Sequence, residues 1–167
     1  MRALALLLTS TLIAACSPSP EADQARKGEQ VDMLSATEED EDELEGTLVK
    51  APEEGSPEAL LQGVVAAAMY PDENAGWEAL KALLHSELKS PKKLESYREM
   101  NYAASRRKVK LFTPDDTKPY FRVVSRSASS DDEIKLFVHN EQSLPTPCTL
   151  KRDSEAANAW RVYACSL

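Results

Sequence analysis

The chain has 167 residues, 42% of them hydrophobic, and a formal net charge of −8. That length leaves room for one folded domain and not for two. The charge is uneven: residues 16–55 hold thirteen Asp/Glu and three Lys/Arg, a net of −10, while residues 56–167 hold fifteen and sixteen, a net of +1. A nearly neutral folded part lacks the basic surplus of a nucleic-acid binder, so no nucleic-acid partner is expected.

Met1-Arg2 gives a positive start, and residues 3–15 form an uncharged, mostly apolar run. A spanning helix needs about 20 apolar residues, so residues 1–15 read as a secretory signal peptide removed after export. The run ends in Ile13-Ala14-Ala15-Cys16, which resembles the lipobox of bacterial lipoproteins: an aliphatic residue, two small ones, then cysteine. Ile13 stands where Leu is usual. The resemblance implies cleavage between Ala15 and Cys16, a diacylglyceryl group on the Cys16 thiol and acylation of the new amine. A single acyl chain binds a membrane only marginally, at about 0.8 kcal/mol per buried methylene, whereas several chains on one residue give a lasting anchor. The resemblance also implies a bacterial cell-envelope address with the membrane as a partner through Cys16. Ser17, in place of an Asp, points to the outer membrane, with the chain facing the periplasm.

Residues 16–55 read as a tether. They open Ser17-Pro18-Ser19-Pro20, carry six consecutive acids at 38–43 and show no sustained periodicity. Low hydropathy with high charge cannot bury enough surface to offset ordering entropy, so disorder is expected. As a calcium loop the acidic run matches poorly, because Leu44 stands where a third ligand should be and Gly46 comes one residue late.

Residues 56–167 read as the folded domain. Ser56-Pro57-Glu58 is a helix start, with Leu60, Leu61, Val64, Val65 and Ala68 on one face and Pro71 as the stop. A second helix is expected over 74–88, with Trp77, Leu80, Leu84 and Leu88 as its stripe. Ser90-Pro91 opens a third, carrying Leu94 and Tyr97 and ending at Arg106-Arg107-Lys108. Short runs rich in Val, Phe, Tyr and Ile follow. Residues 108–113, 120–126, 133–139, 148–152 and 160–167 read as strands, separated by turn signals at 114–116, 129–132 and 145–147. Ile134, Leu136 and Val138 alternate with Lys135, Phe137 and His139, as in a sheet with one face on the helices. The expected fold class is α+β, three N-terminal helices packed on a curved antiparallel sheet of about four to five strands.

With Cys16 acylated, Cys148 and Cys165 remain as a possible disulfide pair in an oxidising compartment. If residues 153–159 form a hairpin loop, Arg152 faces Arg161, Leu150 faces Tyr163 and Cys148 faces Cys165, close enough for a cross-strand bond. Two arginines facing each other argue against that register, and a one-residue slip or bulge is the alternative.

Helices followed by an antiparallel sheet, closing on Trp160-Arg161-Val162-Tyr163, resemble the NTF2-like (cystatin-like) group, which hosts small enzymes and binding modules alike. In an enzyme of that group, His85 or His139 with Asp115 or Asp116 would supply a dyad inside the cone of the sheet. No catalytic set, cofactor or metal site is expected otherwise: there is no glycine-rich phosphate loop, and no His, Cys or carboxylate pair has ligand spacing. Arg106, Arg107, Lys108 and Lys110 read as a helix terminus at a solvated edge, or as a contact for anionic lipid or peptidoglycan. The expected function is a non-catalytic module binding an unknown envelope protein or small ligand. Its rivals are a small hydrolase or isomerase and a structural role at the cell wall.

Overall fold

The structure is a computed structural model and describes residues 46–167. The signal peptide, Cys16 and nearly all of the expected tether lie outside the described residues. Strand β1 (Thr47–Val49) comes first, followed by helices α1 (Pro57–Met69), α2 (Glu73–Leu83), α3 (Pro91–Tyr97) and α4 (Ala103–Lys108). Strands β2 (Phe121–Ser130), β3 (Glu133–Val138), β4 (Thr146–Asp153) and β5 (Ala159–Cys165) complete the chain. All five strands form one antiparallel sheet in the order 1-2-3-4-5. Among the described residues, no helix is long and apolar enough to cross a membrane.

The helices begin and end as their sequences dictate. Ser56 Oγ accepts the Ala59 N–H at 3.1 Å, and Pro57 sits in the first turn, where its missing N–H has no intrahelical partner to lose. Asp72 Oδ1 accepts the Ala75 N–H at 2.7 Å and starts α2. Helices α1 and α2 cross closely at Gly76. A Cβ there would run into the Ala67 carbonyl and the Tyr102 hydroxyl. Buried Tyr102 fastens this crossing by donating to the Glu73 carbonyl at 3.0 Å.

The helices cover one face of the sheet. Leu61, Val65 and Leu84 from the helical side meet Phe121, Leu136, Leu150 and Val162 from the strands, all essentially inaccessible to water. Burying each such side chain contributes about 1.5–3 kcal/mol, which makes this layer the source of the domain's stability. Trp160 and Ile134 pack at its margin.

The expected fold class needs correction. The sheet does not simply follow three helices, because β1 precedes them and pairs with β2 through Thr47↔Val123 and Val49↔Phe121. Residues 108–113 are not a strand. They complete α4 and continue in a 3₁₀ turn, Val109–Leu111, with Val109 and Phe112 buried three positions apart as a helical turn requires. The third expected helix is broken into α3 and α4 by a π-helical turn at Arg98–Tyr102. The result is a strand, a helical layer and a four-stranded meander. The NTF2-like arrangement is therefore set aside.

Helix α2 also stops earlier than its apolar stripe predicts. Leu84 and His85 are extended, Leu84 bridges to Val162, and the His85 N–H donates to the Val162 carbonyl at 2.9 Å. This short pairing covers the outer edge of β5, where unpaired backbone groups would otherwise be open.

Candidate functional site

Cys148 and Cys165 form a disulfide and lie directly opposite each other on β4 and β5. The register that brings them together is not uniform. Arg152 faces Trp160, and Lys151 faces Arg161, so the two arginines do not oppose each other. A bulge between Thr149 and Leu150 then restores the alignment at the cysteines and turns Tyr163 into the extra residue. The like-charge argument favoured such a bulge.

A buried polar cluster joins the end of α2 to the end of β4. Asp153 is 1% exposed. Its carboxylate accepts from the Ser86 N–H at 2.8 Å, the Ser86 hydroxyl at 3.0 Å and the Glu155 N–H at 3.0 Å. Burial opposes its ionisation, but the Ser86 and Glu155 donors together with nearby His85 outweigh that and hold the carboxyl below its ordinary value. His85 Nδ1 accepts the Glu87 N–H at 3.2 Å, which leaves Nε2 to donate to the Arg152 carbonyl at 3.3 Å. Serine, histidine and aspartate thus stand side by side, yet the serine proton points to the carboxylate and both imidazole nitrogens face backbone. Nucleophilic relay needs the hydroxyl on the imidazole. Here His85 and Asp153 cap two short 3₁₀ turns, Ser86–Leu88 and Ser154–Ala156, and the Ser86 hydroxyl ties the first turn to the cap of the second.

The other residues singled out in the sequence are not brought together. Asp115 accepts from the Thr117 hydroxyl and N–H, which keep its carboxyl below the usual range, and Asp116 pairs with Lys110 at 2.8 Å. His139 directly follows β3, where its N–H donates to the Arg122 carbonyl at 2.9 Å and its neighbours include Glu141. Within the basic cluster, Arg106 donates to the Tyr70 carbonyl at 2.6 Å and stacks over Tyr102, tying α4 to the α1–α2 turn. Among the described residues, two clefts lie beside charged groups. One of about 560 Å³ lies between β1 and the Glu58–Arg126 ion pair. The other, of about 410 Å³, is lined by His85, Glu87, Asp132, Lys151 and Arg152.

The feature with the most recognition chemistry is the sheet face turned away from the helices. Phe121, Val123, Leu136, Val138, Leu150 and Val162 point into the core. Their strand neighbours Arg122, Lys135, Phe137, Thr149, Lys151 and Arg161 must then point the other way, and all are half-exposed. Phe137 stays outside the core cluster although it sits in mid-strand. Lys151 Nζ lies 3.8 Å from the Tyr163 ring centroid and 3.1 Å from Glu133, whose hydrogen bond raises the lysine's pKa. Among the described residues, Lys135 and Arg161 have no carboxylate within ion-pair distance. Among the described residues, the face therefore presents Lys135, Lys151 and Arg161 beside Arg122, with Glu133 and the rings of Phe137 and Tyr163. Sequence reasoning passed over it, although Phe137 on the polar side of the β3 alternation was a visible signal.

No protein-family model, curated protein or solved structure matches the chain.

Proposed function

We propose that the chain is an outer-membrane lipoprotein of the cell envelope, held by acyl chains on Cys16, whose folded part is a binding module working through the open sheet face. The single observation that carries the binding reading is that face: half-exposed Phe137 and Tyr163 among Lys135, Lys151 and Arg161, with no second layer over them in the described residues. Aromatic rings beside cations supply the packing and charge-assisted contacts on which interface hot spots are built. The anchor reading is supported by Ile13-Ala14-Ala15-Cys16, and the bond between Cys148 and Cys165 suits an exported chain.

Each half has its own test. A photo-reactive residue at position 137 in intact envelopes should capture a discrete protein, whereas one at exposed Lys92, on the helical side, should not. Arg161→Glu should reduce the capture about tenfold, as loss of a charged hot spot does. Equal capture at both positions would count against the face. Separately, Cys16→Ser should move the exported protein from the membrane fraction to the soluble one, and unchanged fractionation would remove the anchor.

A further inference from the structure

We propose that the open sheet face takes an acidic polypeptide segment, with one carboxylate on Lys135 between the hydroxyls of Ser127 and Thr149 and a second on Arg161. This rests on the reading of that face as the binding surface and supplies the chemistry of its partner. Residues directly opposite each other on neighbouring strands share one side of a sheet. Ser127 faces Lys135, and Lys135 faces Thr149. Lys135 therefore stands between two short hydroxylated side chains, with Phe137 two positions along β3 on the same side. Among the described residues, no carboxylate lies within ion-pair distance of it. An ammonium flanked by hydroxyl donors is the chemistry that holds a carboxylate.

One row further along the sheet, Lys151 faces Arg161. Lys151 is already engaged, 3.1 Å from Glu133 and 3.8 Å from the Tyr163 ring centroid. Arg161 has no such carboxylate. Its Nη1 donates to the Trp160 carbonyl at 3.0 Å, while its Nε is buried and meets no acceptor among the described residues. An arriving carboxylate is the acceptor that this guanidinium lacks. Lys135 and Arg161 lie two strand spacings apart in one direction and one side-chain repeat in the other, a diagonal of about 12 Å. Acidic residues four positions apart on an extended segment are separated by about 13 Å and project from the same side, so one segment reaches both. Apolar residues beside those acids meet Phe137 and Tyr163. An anionic bilayer or a nucleic acid is met by larger basic clusters, about four to eight cations for a lipid surface. Two cations set among rings and hydroxyls suit discrete carboxylates instead.

The test uses the exported chain carrying Cys16→Ser and the end-capped peptide Phe-Glu-Ser-Thr-Ser-Glu-Phe, with a twin in which both Glu are Gln. Binding is followed by the amide signals of Ser127, Lys135, Thr149 and Arg161. The acidic peptide should shift these signals and bind about tenfold more tightly than its twin. Lys135→Gln and Arg161→Gln should each remove about threefold, the size of an exposed ion pair, and Lys92→Gln should change nothing. Both substituted side chains are half-exposed, and circular dichroism checks that the fold is kept. Equal binding of the two peptides, binding of neither, or full binding by the Lys135→Gln and Arg161→Gln chains overturns the proposal. So does cosedimentation with phosphatidylglycerol vesicles that the double variant loses, which would assign the face to lipid. If position 137 still captures a discrete protein in such a case, the binding-module reading stands and only the acidic partner fails.

Discussion

Replacing Cys148 and Cys165 together by alanine is expected to lower the thermal midpoint by about 10–15 °C, read by circular dichroism. The bond joins residues 17 apart in sequence. Closing a loop of that size removes about 3 kcal/mol of chain entropy from the unfolded state. At roughly 4 °C per kcal/mol for a domain of this size, entropy alone supplies most of the shift. Packing adds to it, since both cysteines lie in the core beside Leu136 and Leu150. Reducing agent should reproduce the effect in the natural chain and leave the double variant unchanged. A midpoint within about 2 °C of the natural chain would show that the bulged β4–β5 hairpin holds its register without the bond.

Asp153→Asn is expected to cost about 3 kcal/mol, and urea titration at pH 7 would measure it. The asparagine retains one oxygen but turns an NH₂ toward donors that now bond to the carboxylate. At least one of the Ser86 and Glu155 groups is then left without an acceptor. The sign of the pH effect follows from the direction of the shift. A carboxyl held below its ordinary value stabilises the fold fully above the unfolded value of about 3.9, and that contribution is lost as pH falls through the folded value. The natural chain should therefore lose stability more steeply than the variant below about pH 4, with the two curves converging in acid. Parallel curves would mean that folding leaves the Asp153 carboxyl at its unfolded value, which would overturn the reading of a carboxylate held ionised by its donors.

Much of the fold could be read where the signal is local. Ser56-Pro57 and Pro71 bound α1 because caps and missing N–H groups act within one turn. The β4–β5 pairing was legible because the cysteines, the turn residues and the two arginines all constrain one hairpin. Failures arose where distant partners decide. Thr47-Leu48-Val49 is three residues amid acids, and nothing nearby shows that its pairing partner begins at Phe121. Val109 and Leu111 alternate as a strand would, but the residue that packs is Phe112, one turn from Val109. The His85–Ser86–Asp153 cluster joins positions 67 apart, which no spacing rule connects. The open sheet face was half legible: alternation predicted one solvated side of the sheet, and only the strand register gathers Phe137, Lys135, Lys151 and Arg161 there.

Strand β1 bears on how the domain responds to a pull. It is the first element of the described chain, three residues long, and bound along a single edge. Tension arriving from the N-terminal side meets it before the meander or the disulfide. Its few hydrogen bonds can then open one after another while β2 to β5 stay intact. Strand β1 is thus the first element to yield to such a pull, like a mechanical fuse, and when it opens the edge of β2 is exposed while the core remains closed.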